Sequence, residues 1–181
     1  GAKQPARIGW ASVNHAAYPA SDAQPDIDAA RTAYAAVDLK AWFWSIAWFA
    51  DAIHLGGYPE RTMSLMGKDA PEVLPGDMDI ISTPVDYLGL NIYSGTPYTR
   101  GEDGAPKSVP HPPGVAHTDM GWAVTPEALR WGPTFAAERY RCPIYITENG
   151  MANLDWLATD GAVHDRQRID YLKRYIDQLE V

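Results

Sequence analysis

The segment Pro143-Ile144-Tyr145-Ile146-Thr147-Glu148-Asn149-Gly150 sets one carboxylate at the end of a β-branched and aromatic run, with an Asn-Gly turn directly after it. The run predicts a strand over Pro143 to Glu148, and apolar residues on both faces put it inside a parallel sheet. Read with a period of two, Ile144, Ile146 and Glu148 share one face, Tyr145 and Thr147 the other. A carboxylate beside two isoleucines needs partners, a perturbed pKa or a chemical task, because burying it unpaired is costly. The plainer alternative is a strand-end glutamate that reaches solvent, and the rest of the chain argues against it.

Other chemistries find little support. Cys142 is the single cysteine, which excludes an internal disulfide or a cysteine metal cluster. The five histidines show no His-x-x-x-His or similar ligand spacing, so neither a metal nor a cofactor is expected. No Gly-x-Gly-x-x-Gly follows a strand and no P-loop is present, which counts against a nucleotide-binding fold. A formal charge of −8 argues against nucleic acid or an anionic membrane as partner. The longest apolar run, Ala41 to Ala50, is too short to span a bilayer. No signal peptide is recognisable at Gly1-Ala2-Lys3-Gln4, which leaves localisation open with the cytoplasm slightly favoured. Seven Trp and ten Tyr are many for this length and suit a site for ring-shaped ligands such as sugars.

The elements that must position Glu148 follow from periodicity. Arg7 to Val13 reads as a first strand. Asp26 is a plausible N-cap for a long helix, since Ile27, Ala30, Tyr34, Val37, Ala41, Trp44 and Trp48 form one apolar stripe over six turns. It stops before Gly56-Gly57-Tyr58-Pro59, and short helices are expected at Glu60 to Met66 and Asp77 to Ser82. The second strand, Val85 to Ser94, sets Leu88, Leu90 and Ile92 on one face and Tyr87, Gly89, Asn91 and Tyr93 on the other. In a parallel barrel the apolar set would face the helices and the polar set the interior; a half-solvated antiparallel strand would show the same alternation. Thr96 to His117 holds five prolines and reads as a long irregular segment. Thr125-Pro126-Glu127 starts a helix with Thr as cap, running to about Arg141. Asp165 caps a last helix whose Ile169, Leu172, Ile176 and Leu179 make a core stripe. Strand and helix alternate three times, which argues an α/β fold with a parallel sheet.

Tyr145-Ile146-Thr147-Glu148-Asn149-Gly150 resembles the nucleophile motif of family 1 glycoside hydrolases, the retaining β-glucosidase family. Tyr18-Pro19-Ala20-Ser21-Asp22 resembles the family's loop after the fifth barrel strand, and Trp48-Phe49-Ala50-Asp51 with Gly57-Tyr58-Pro59 its following helix and turn. Asp86 to Ser94 is similar to its sixth strand, and Met120-Gly121-Trp122, Trp131-Gly132-Pro133 and Asp160 to Asp165 also fit. These motifs keep the family's order over nearly the whole chain.

The resemblance implies a segment of a (β/α)8 TIM barrel. Residues 1–181 would form one partial domain of three parallel strand–helix units, the fifth to the seventh. A complete barrel typically needs about 250 residues. Glu148 would be the catalytic nucleophile, Tyr93 would orient it by a hydrogen bond, Asn91 would lie beside it, and Trp122 would line the substrate pocket towards the leaving group. For Trp122 a loop anchor in the core is an equal alternative. Burial beside the isoleucines should raise the pKa of Glu148 and the Tyr93 bond should lower it, with the bond prevailing. The partners would be a β-glucoside or related small saccharide and the remainder of the barrel. The family's acid/base lies in an Asn-Glu-Pro motif, and no Asn-Glu pair occurs here. Its second-strand arginine, third-strand His-Trp and late Trp and Glu motif are absent too. The reading is therefore a β-glycosidase segment that is inactive alone; a non-catalytic barrel fragment and a barrel glycosidase of another clan are the alternatives.

Overall fold

The computed structural model describes residues 5–180; the tetrapeptide read above for a signal, and Val181, lie outside them. Its central layer is a three-stranded parallel sheet in the order β1 (Gly9–Val13), β3 (Tyr87–Asn91), β6 (Ile144–Glu148). These are the three strands expected from the sequence, adjacent and parallel as expected. Parallel pairing decides the ambiguity of β3: Leu88, Leu90 and Ile92 are fully buried against the helical layer. On the other face Gly89 sits where a Cβ would meet Thr147 Cγ2 at 2.8 Å and Ala11 Cβ at 2.9 Å. Only glycine lets the three strands approach there.

A second sheet was not expected. β2 (Ala16–Pro19) runs parallel to β4 (Gly95–Arg100), which pairs antiparallel with β5 (Pro106–Ser108). The segment Thr96 to His117 is thus partly a hairpin rather than wholly irregular. Its prolines hide the hairpin because Pro97 and Pro106 sit in the strands themselves: Pro106 is on the edge strand, where proline is tolerated, and Pro97 is in the middle strand, one residue before the antiparallel pairing with β5 begins at Tyr98.

The long helix is also two helices. α1 (Gln24–Tyr34) and α2 (Ile46–Leu55) are separated by an irregular stretch and a 3-10 turn at Trp42–Trp44. Asp38 is the cause, since its carboxylate accepts from Lys40 N–H at 2.9 Å while its own N–H donates to Ser45 Oγ at 3.2 Å. Such side-chain bonds compete with the helical ladder. Asp26 is not the cap of α1 either: it lies inside the first turn and accepts from Ser21 and Thr99.

Two short helices, α3 (Glu60–Met66) and α4 (Asp77–Ile81), lead into β3, close to where the sequence puts them. α5 (Glu127–Tyr140) follows the predicted course, but Thr125 does not cap it through its side chain; its hydroxyl accepts from Gly95 N–H at 2.9 Å instead. α5 is bolted to α2 by Arg139, whose guanidinium donates to both Asp51 oxygens at 2.8 and 2.5 Å, with Tyr140 adding a bond at 3.0 Å.

α6 (Arg166–Asp177) overturns the expected core stripe. Ile169, Leu172, Ile176 and Leu179 are exposed, and Tyr171 and Tyr175 are buried in their place. Tyrosine carries both an apolar ring and a hydroxyl, so it can bury and still satisfy a backbone carbonyl. Among the described residues no helix is long and apolar enough to cross a membrane, and no cluster of His, Cys, Asp and Glu is arranged to hold a metal ion.

Candidate active site

The C-terminal ends of β3 and β6 bring Tyr93 and Glu148 together. The Tyr93 hydroxyl donates a short hydrogen bond to Glu148 Oε2. That bond, followed by partial burial, raises the pKa of the Tyr93 phenol, because the neighbouring carboxylate favours the protonated donor.

Strict alternation does not deliver this contact. It would put Glu148 on the core side with Ile144 and Ile146, which are half-buried against the helices. Instead the register shifts: Leu90 faces Ile146, but the next residue, Asn91, faces Glu148. Thr147 is the extra residue, and such an irregularity re-aims the side chain that follows it. Thr147 Oγ1 donates to Asn91 Oδ1 at 2.6 Å, which pins the shift. Glu148 is consequently exposed, so the burial expected beside the isoleucines does not occur. Asn91 lies opposite Glu148 as expected, but its carbonyl oxygen serves Thr147.

Trp122 packs its ring against Tyr93 with centroids 5.4 Å apart. It stays 41% exposed, so it is not a core anchor. A tight turn fixes its backbone: Thr118 N–H donates to Trp122 O at 2.9 Å, and Gly121 takes a φ of 74° that few other residues tolerate. Asp119 N–H donates to Ala152 O at 3.1 Å, tying this turn to the loop after β6. Arg168 holds the same loop through Met151 O, Asp165 and Asp155.

Periodicity could not find three further participants. Asn149 donates to Ile92 O at 2.8 Å and to the Tyr171 hydroxyl at 3.2 Å. Tyr171 and Tyr175 both reach the Tyr93 carbonyl. The only sequence signal for them was two tyrosines one helical turn apart beside a more obvious aliphatic stripe. Chemically, the site offers an accessible carboxylate with one phenolic donor and an aromatic wall at one side.

Comparison with known proteins agrees with the motifs. Residues 2–181 match the model of glycosyl hydrolase family 1. Beta-glucosidase A of Thermotoga maritima is 36% identical over 173 residues, 95% of this chain and 37% of its own length. Aryl-phospho-beta-D-glucosidase BglA of Bacillus subtilis is 32% identical over 145 residues, 73% of this chain and 30% of its own. The solved family 1 β-glucosidase of Thermotoga maritima in complex with isofagomine lactam superposes with a TM-score of 0.72 at 36% identity, covering 96% of this chain and 38% of that one. The chain therefore spans well under half of the relatives it matches, and its parallel strand–helix units are a segment of their TIM barrel. By its motifs, its strand order and these matches, this chain belongs to glycosyl hydrolase family 1.

Proposed function

We propose that the chain supplies the nucleophile half of a retaining β-glycosidase acting on β-glucosides or closely related saccharides. The observation that carries this reading is the hydrogen bond from Tyr93 to Glu148 at the C-terminal end of a parallel sheet, where barrel enzymes build their sites. The Glu148 carboxylate attacks the anomeric carbon as the bond to the leaving oxygen breaks, giving a covalent glycosyl-enzyme. An acid elsewhere in the barrel protonates that oxygen, and as a base it then activates the water that releases the sugar. Tyr93 holds the carboxylate in aim through its hydrogen bond. Asn91 holds the register shift through Thr147, and Trp122 forms the wall towards the leaving group.

Retaining glycosidases need two carboxyl groups roughly 5 Å apart, and the second belongs to the rest of the barrel. That remainder also covers the outer edges of β1 and β6 and apolar surface such as Val13, Tyr145 and the aliphatic stripe of α6. Residues 1–181 form one partial barrel domain in this reading.

Replacing Glu148 by Gly or Ala in the complete barrel and adding azide tests the assignment. The small anion should restore turnover of an activated aryl β-glucoside and yield the α-glycosyl azide. A β-configured product would show that another carboxylate is the nucleophile. The 181-residue chain purified alone should neither hydrolyse aryl β-glucosides nor stay monomeric; a monodisperse, active monomer would refute the incomplete site.

A further inference from the structure

Tyr93 and Glu148 lie at strand ends, and what fixes those ends is a pair of tyrosines from α6. The rings of Tyr171 and Tyr175 stack with centroids 4.0 Å apart and planes 22° apart. They are 1% and 0% exposed. Both hydroxyls donate to one acceptor, the carbonyl oxygen of Tyr93, at 3.0 and 2.9 Å. A carbonyl has two lone pairs, and here both are used. The Tyr171 hydroxyl also accepts from Asn149 Nδ2 at 3.2 Å, and that of Tyr175 from Thr125 N–H at 2.9 Å. Each phenol thus donates once and accepts once, and burial pushes the pKa of both upward, so the donated protons stay in place.

This arrangement grips both members of the pair, Tyr93 by its own carbonyl and Glu148 through the adjacent Asn149. We propose that Tyr171 and Tyr175 are positioning residues, a clamp on the Tyr93 carbonyl that sets the angle at which its phenol meets the Glu148 carboxylate. The inference rests on the assignment of Glu148 given above. Phenylalanine would fill the same space, so the hydroxyls are the informative feature. They converge on the one residue whose side chain holds the carboxylate. A small misplacement at such a contact is costly, because attack requires a near-aligned geometry.

The test uses Tyr171→Phe, Tyr175→Phe and the double variant in the complete barrel. The readouts are KM, the rate of glycosyl-enzyme formation from a slow deoxyfluoro glucoside, and Tm. KM should stay within about twofold, while the formation rate falls about threefold in each single variant and about tenfold in the double. Phe135→Leu, a core change at a side chain 1% exposed, should lower Tm without slowing glycosyl-enzyme formation per folded molecule. A wild-type formation rate per folded molecule in the Phe variants, whatever their Tm, would overturn the clamp. If the double variant does not fold, the single ones decide, since each keeps one hydroxyl on the carbonyl. Glu148→Gln in the same assay separates the two readings. A Gln variant that still turns over removes the nucleophile assignment and the clamp together. An inert Gln variant beside unaffected Phe variants removes the clamp alone.

Discussion

Glu148 and Asp51 are carboxylates that the chain treats in opposite ways. Asp51 is 4% exposed and accepts three hydrogen bonds, two from the Arg139 guanidinium and one from Tyr140. The Asp51 bonds, outweighing partial burial, raise the pKa of Arg139, so that pair is locked as an ion pair between α2 and α5. Glu148 is exposed and, among the described residues, takes a single side-chain bond, from Tyr93. A carboxylate that holds helices together must have its lone pairs filled, because an unmet charge in the core is expensive. The nucleophile proposed for Glu148 needs an oxygen left free. On that proposal, burial and bond count separate a structural carboxylate from a reactive one, where residue type cannot.

Exchanging their fates gives the widest test. In the complete barrel, Glu148→Gln should lower turnover by roughly five orders of magnitude and leave the thermal midpoint nearly unchanged. Steady-state kinetics beside calorimetry check this, and near-normal turnover would end the assignment. Asp51→Ala should do the reverse. It should cost about 3 kcal/mol in denaturant unfolding, the low end for breaking a buried pair because part of Arg139 reaches solvent. The surviving folded enzyme should keep its pH profile; a shifted profile would mean that the α2–α5 joint reaches the site.

Tyr93→Phe sharpens the comparison from the reactive side. Losing the one side-chain donor that Glu148 has among the described residues should reduce kcat about a hundredfold with little change in KM, measurable on an activated aryl glucoside. A change confined to KM would make Tyr93 a substrate contact instead. The smallest effect is expected from alkali. Tyr140 has its pKa raised by burial first and by Asp51 second. A group whose folded pKa is raised contributes stability that is complete below its unfolded value, about 10 for tyrosine. That contribution is lost as pH climbs towards the folded value. Unfolding free energy should therefore fall above about pH 10, and Tyr140→Phe should flatten the fall.

The sequence by itself determined the parallel order of β1, β3 and β6, because strand and helix alternate along the chain and right-handed crossovers then lay each strand beside the one before it. It set Leu88, Leu90 and Ile92 on one face of β3 with the period of the pleat, and the parallel pairing then decided that this face meets the helices. The motif around Glu148 identified the family, and with it the residues to inspect. Tertiary structure decided what local pattern cannot hold. The period of two assigned Glu148 to the isoleucine face; only pairing with β3, where Thr147 is left over, turned it towards Tyr93. The periodicity of α6 favoured Ile169, Leu172, Ile176 and Leu179, yet Tyr171 and Tyr175 are buried because the Tyr93 carbonyl, far away in sequence, needed donors. The helix expected from the Asp26 cap to just before Gly56 looked continuous until Asp38 and Ser45 found each other. Periodicity reports how apolar a face is, whereas register, burial and hydrogen-bond partners depend on which remote segment arrives there.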